Sequence, residues 1–268
     1  MPDAVRKRPT GRSTGSRPAA SAPEARRRAG SALSGRQIIL AGGSGGLGSA
    51  TAEMLASEGA QLIVSYRSNA ARAQALAGIA RLIQADLARE ADRARLLDRA
   101  PELYGLVVFS GDPARVADPS QLEAALRRSQ EVNFLGPILL AREAAARMRA
   151  RNTPGAIVLL GTMQALAPFP GSTAYAAAKA ALVHAARILA RESRGPANIR
   201  VNVVSPGVMA AGMAEASIAS GKYERYLQEG AIPRYGTALD VARAVRFLLE
   251  PDNYVTGQVL TVDGGLTL

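Results

Sequence analysis

The short apolar run Gln37-Ile38-Ile39-Leu40-Ala41 stops at Gly42-x-x-x-Gly46-x-Gly48, and an alanine-rich stretch, 49–57, follows at once. A few consecutive apolar residues ending in glycine predict a parallel strand buried on both faces. A glycine-punctuated turn into a helix gathers backbone N–H groups and the positive helix end at one spot, which suits the pyrophosphate of a dinucleotide. The glycines meet separate needs: a tight turn, close approach of backbone to phosphate, and close packing of helix on strand. Gly42, Ser44, Gly46, Leu47 and Gly48 are therefore the first candidate cofactor-binding residues.

The same alternation continues along the chain. Further strands are predicted at 61–66, 81–86, 105–111, 155–162, 198–204 and 258–262. Helices are predicted at 70–77, 121–150 with an interruption near Gly136-Pro137, from the Tyr175 region to about 194, and at 239–249. The irregular stretch 208–235 reads as a mobile lid. This order implies an α/β fold: one doubly wound, Rossmann-like domain over 36–268, with a parallel sheet, helices on both faces and ligands at the carboxyl ends of the strands.

Composition removes several alternatives. The chain has no Cys and one His, which excludes disulfides and thiolate zinc sites, so no metal is expected and His184 reads as packing or surface. No uninterrupted apolar stretch of about 18 residues exists, so no membrane span is expected and the cytoplasm is the expected location. The net charge of +11 invites a nucleic-acid reading. However, residues 1–36 hold nine Arg or Lys against Asp3 and Glu24, a surplus of seven in a Ser-, Pro-, Gly- and Ala-rich segment. Residues 1–35 are therefore predicted to be a disordered basic extension. It is open to an anionic-surface, targeting or dispensable role, and nucleic acid is not the expected partner.

Tyr175 and Lys179 stand four residues apart on a predicted helix and so share a face. A free phenol titrates near about 10, too high for a proton shuttle at neutrality. A neighbouring ammonium favours the phenolate and is expected to lower that value. With a dinucleotide turn upstream, the pair points to reversible hydride transfer between a carbonyl and an alcohol. Cofactor choice falls after the second strand, where an Asp or Glu would select NAD(H). This chain has Tyr66-Arg67-Ser68, and the Arg67 guanidinium favours a 2′-phosphate, hence NADP(H) over NAD(H). Asp86 can accept from the adenine amino group or cap the helix that follows.

These motifs in order resemble the short-chain dehydrogenase/reductase family, in its single-domain branch, over roughly residues 35–268, with an overall look close to 3-oxoacyl-carrier-protein reductases. The resemblance implies a tetrad of Asn133, Thr162, Tyr175 and Lys179. Asn133 would hold a relay water and Lys179 would also bind the nicotinamide ribose. It implies adenine contact at Asp86 with Leu87 beside it, and cofactor contacts at Gly111, Tyr175, Lys179, Pro206 and Gly207. The closing signature falls at Thr256-Gly257-Gln258 and Asp263-Gly264-Gly265. Family members of this kind form homotetramers around small-molecule carbonyl or alcohol substrates.

Four departures stand out: Thr162 where the family places Ser, Val108-Phe109-Ser110-Gly111 for Asn-Asn-Ala-Gly, Ala41 for Thr, and Ala211 for a nicotinamide-binding Thr. A rival of another class, a non-catalytic dinucleotide or ligand sensor on the same fold, draws on the altered fourth-strand signature and Ala211. The retained tetrad opposes it.

Overall fold

The computed structural model describes residues 31–116 and 118–268. Seven parallel strands form one sheet in the order β3-β2-β1-β4-β5-β6-β7. They are β1 (Gln37–Ala41), β2 (Gln61–Tyr66), β3 (Ala80–Gln84), β4 (Leu103–Val108), β5 (Gly155–Leu160), β6 (Ile199–Pro206) and β7 (Val259–Val262). β4, β5 and β6 are buried along their whole lengths, as expected for central parallel strands covered on both faces. The chain order reverses between β1 and β4, so a crevice opens at the carboxyl ends of these two strands.

Strand alternation divides the core into two layers. On one side Ile39, Leu106, Ile157 and Val201 pack under α5 (Gly136–Ala150) and α6 (Thr173–Glu192), which contribute Leu140, Met148, Leu182 and Leu189. On the other side Ile38, Leu40, Val107 and Val158 meet α1 (Gly46–Ser57) and α9 (Ala238–Leu249) through Leu55, Val241 and Val245. The doubly wound expectation holds.

Three details differ from the sequence expectation. The fold begins before residue 36: Leu33 is fully buried in the second layer, and the Ser31 hydroxyl donates to Glu58 at 2.5 Å. Residues 1–30 of the predicted extension lie outside the described residues. The long helix is interrupted one turn before Gly136-Pro137: α4 (Leu122–Gln130) runs into α5 through a π-helical turn, Glu131–Leu135, which carries Asn133. The helix expected after Asp86, for which the sequence set no bounds, is α3 (Glu90–Asp98). The lid contains two short helices, α7 (Glu215–Ala219) and α8 (Glu224–Gln228), and its base is pinned where Met209 pairs with Gly236.

Candidate functional site

Glycines shape the floor of the crevice. Gly42 has φ of +71°, and a Cβ there would lie 3.0 Å from the Ser110 nitrogen. Its N–H donates to the Ser65 hydroxyl at 3.0 Å, on the neighbouring strand. A Cβ on Gly48 would lie 2.5 Å from the Gly43 Cα, so α1 rests directly on the turn that launches it. Across the opening, a Cβ on Gly46 would stand 3.0 Å from the Gly212 nitrogen. Ser110 Oγ, on the cavity wall, is buried without a hydrogen-bond partner among the described residues. A backbone cradle that side chains would fill, a helix N-terminus and an unpartnered hydroxyl fit a dinucleotide phosphate.

This floor belongs to one cavity of about 870 Å³, towards the upper end of ligand-site volumes. Ser44, Leu47, Arg67, Asp86, Leu87, Gly111, Pro206 and Gly207 line it together with Gly42, Gly46 and Gly48. Asp86 does not cap α3, whose N-cap position is Arg89. Instead its carboxylate accepts from the Ala88 N–H at 3.1 Å, and its own N–H donates to Asp92 at 2.8 Å. That backbone hydrogen bond holds the Asp92 carboxyl below its ordinary value. The loop is thus fixed with the Asp86 side chain at the cavity wall. Beside Arg67 stands a second exposed guanidinium, Arg72, on α2 (Ala70–Gln74).

The same lining carries the candidate catalytic groups. Thr162, Tyr175 and Lys179 line the cavity, and Asn133 does not. Tyr175 sits in the first turn of α6, and Lys179 follows one turn later at 2% exposure. The lysine ammonium donates to the Leu160 carbonyl at 2.7 Å and the Ser110 carbonyl at 3.3 Å. The Thr162 hydroxyl accepts from the Gln164 N–H at 3.3 Å.

The expected lowering of the phenol by the ammonium is not what this arrangement produces. Burial pushes Tyr175 up to about 12, with the Thr162 hydroxyl pulling the other way. Burial pulls Lys179 down to about 7. Desolvation disfavours both charged forms, and the ammonium is turned to the two carbonyls. Asn133 is wholly buried behind the wall: its Oδ1 accepts from the Asp112 N–H at 2.9 Å, and its Nδ2 donates to the Asp112 carbonyl and to Ser129, each at 2.9 Å. It clamps the segment beside Gly111.

The sequence reading did not single out Gly43, Ser65, Arg72, Arg115, Gln164, Lys222 or Arg225 for the site. Gly43 could have been suspected from the Gly-Gly pair, since a Cβ there would meet the Leu40 Cβ at 2.7 Å. The others reach the site only through tertiary placement.

A family described as enoyl-(acyl carrier protein) reductase matches residues 41–267. A 3-oxoacyl-[acyl-carrier-protein] reductase of Rattus norvegicus is 36% identical, covering 85% of this chain and 96% of the rat protein. A 3beta-hydroxysteroid dehydrogenase of Eggerthella lenta is 32% identical, covering 88% of this chain and 95% of the relative. Among solved structures, a short-chain type dehydrogenase/reductase from Mycobacterium ulcerans superimposes with a TM-score of 0.81 at 28% identity, covering 88% of this chain and 90% of the other.

Proposed function

Because the chain belongs to the short-chain dehydrogenase/reductase family of oxidoreductases, we propose that it interconverts a carbonyl and an alcohol with NADP(H), with Tyr175 as the acid/base. The observation that carries this reading is the presence of Thr162, Tyr175 and Lys179 on the wall of the same cavity whose floor is the glycine cradle. The cradle residues Gly42, Ser44, Gly46, Leu47 and Gly48 hold the pyrophosphate, and Asp86, Leu87 and Gly111 border the adenosine. Pro206 and Gly207 border the nicotinamide. When bound, the dinucleotide supplies or accepts hydride at nicotinamide C4.

The chain's own residues handle the oxygen and the proton. The Tyr175 phenol, whose proton burial retains, donates to the carbonyl oxygen as hydride reaches carbon, and the Thr162 hydroxyl gives that oxygen a second hydrogen bond. In the reverse direction Tyr175 takes the proton back. Lys179 replenishes it and holds the ribose, and Asn133 positions the Gly111–Asp112 segment against which the substrate and cofactor lie. The same proposal includes a homotetramer in the cytoplasm. Exposed Ile188 on α6 and Phe247 on α9 supply apolar surface for subunit contact. Among the described residues, no helix is long and apolar enough to cross a membrane.

Tyr175→Phe is expected to reduce carbonyl turnover at least about a hundredfold while NADPH binding persists; retained turnover removes the acid/base role. The 2′-phosphate preference rests on Arg67, joined by Arg72, with no carboxylate in 67–72. Arg67→Ala should weaken NADPH about tenfold by titration and leave NADH little changed. Equal losses for the two cofactors would refute that assignment.

A further inference from the structure

We infer that the substrate carries an anionic group, a carboxylate or a phosphate, bound by Arg115, Lys222 and Arg225 on the lid side of the cavity. The inference deepens the carbonyl/alcohol reading and rests on it for the identity of the cavity.

Charge balance in the cavity comes first. Among the described residues its lining contains two carboxylates, Asp86 on the adenosine-side loop and Glu131 on the π turn, against six cations. Lys179 is turned to two carbonyls, and Arg67 and Arg72 follow β2, where the cofactor's phosphate is expected. That leaves Arg115 from the loop after β4 and Lys222 and Arg225 from the lid. Among the described residues none of these three takes part in an ion pair, although Arg127, Arg128, Arg142 and Arg234 on the same chain do. The lid's Glu215 is occupied by the Gly212 N–H at 2.8 Å. Like charges lining one cavity repel, and an anion seated there relieves that repulsion.

Two of the three side chains have a built platform. Tyr223 and Tyr226 both line the cavity and stack with centroids 6.2 Å apart and planes at 16°. Lys222 Nζ lies 5.7 Å from the first ring centroid, and the Arg225 guanidinium carbon lies 5.1 Å from the second. Each ring holds its cation through the negative face of the π system. Arg115 uses one nitrogen, Nη2, for the Met213 carbonyl and the Ser217 hydroxyl, both at 3.0 Å, which ties the loop to α7. Its remaining N–H groups make no other hydrogen bond among the described residues. A guanidinium fixed at one end is suited to a fork of two hydrogen bonds with a carboxylate or phosphate.

The test compares charged and neutral carbonyls of matched shape with the full chain and NADPH. Acetoacetate is set against methyl acetoacetate for a carboxylate. Acetoacetyl-4′-phosphopantetheine is set against acetoacetyl-pantetheine for a phosphate. In at least one pair the anion is expected to be favoured by about tenfold in kcat/KM, mainly through KM, and added salt should shrink the ratio. In Lys222→Gln/Arg225→Gln the ratio should fall towards one. A parallel titration of the NADP⁺-loaded protein with acetoacetate and its methyl ester, and with 4′-phosphopantetheine and pantetheine, reads the same preference in complexes that cannot transfer hydride. Anion preference in binding with no turnover would sink the catalytic reading and leave this one standing. Equal treatment of both pairs by rate and by binding overturns it. So does a ratio unchanged in the double variant, or a double variant whose main defect is weaker NADPH binding.

Discussion

Lys179 is a cation that the fold closes off almost completely, at 2% exposure, and its stability cost has a definite sign. Burial pulls it from an ordinary 10.5 to about 7. Between those two values the unfolded chain holds the proton and the folded chain has released it. The unfolded state therefore binds more protons, and stability rises with pH across this window. The penalty is absent above about 10.5, grows as pH falls towards 7, and levels off below. Lys179→Met removes the titrating group, so the melting temperature of the unsubstituted chain minus that of the variant should rise by about 2 °C or more from pH 7 to pH 10. A flat difference would mean that the ammonium remains charged in its cage of carbonyls. The raised Tyr175 phenol acts above pH 10, where its folded form holds a proton the unfolded form has lost, so the window stops there.

At the scale of elements, α9 is fastened to the sheet by a buried guanidinium. Arg200 on β6, 4% exposed, donates to the Leu248 and Glu250 carbonyls, each at 2.8 Å, where the helix has exhausted its own donors. Tyr104 adds a donation to the Leu249 carbonyl at 2.6 Å. Arg200→Leu strands two carbonyls and should cost about 3 kcal/mol in urea unfolding, against about 1 kcal/mol for Tyr104→Phe. A loss below that of Tyr104→Phe would deny the guanidinium this role. Elements with a strong local pattern were legible in advance: apolar β4 and β5, and the glycine turn into α1. The bounds of α3 were not, because Glu-Ala-Asp-Arg-Ala-Arg-Leu-Leu-Asp has little apolar periodicity and buries Arg93 beside Leu96 and Leu97. Arg93 is held there by Glu143 and the Leu87 carbonyl, partners distant in sequence or set by a loop. The site divides in the same way. Tyr175 and Lys179 share a helix and could be paired by counting, whereas Arg115 meets Ser217 across 102 positions.

For the molecule as a whole, the start of the folded unit is a packing question that charge alone answers poorly. The basic surplus before residue 36 suggested a boundary there, yet residues 31–35 already belong to the folded unit, and one of them, Leu33, to its core. Leu33 is fully buried among Ile38, Leu55 and Val245. The Ser31 hydroxyl donates to Glu58, whose carboxylate is also gripped by Arg246 of α9 at 2.9 Å, and the Gly35 N–H donates to the Gly59 carbonyl at 2.9 Å. One short segment therefore ties the start of the domain to the end of α1 and, through Glu58, to α9. Two truncations should then differ sharply although they are five residues apart. A chain beginning at Ser31 should keep the melting temperature of the full chain within about 2 °C. A chain beginning at Arg36 loses a buried leucine and its hydrogen bonds, which should cost about 3 kcal/mol by urea unfolding. Leu33→Ala in the full chain should reproduce most of that loss. If the two truncations unfold alike, residues 31–35 only cover the fold and do not help to build it.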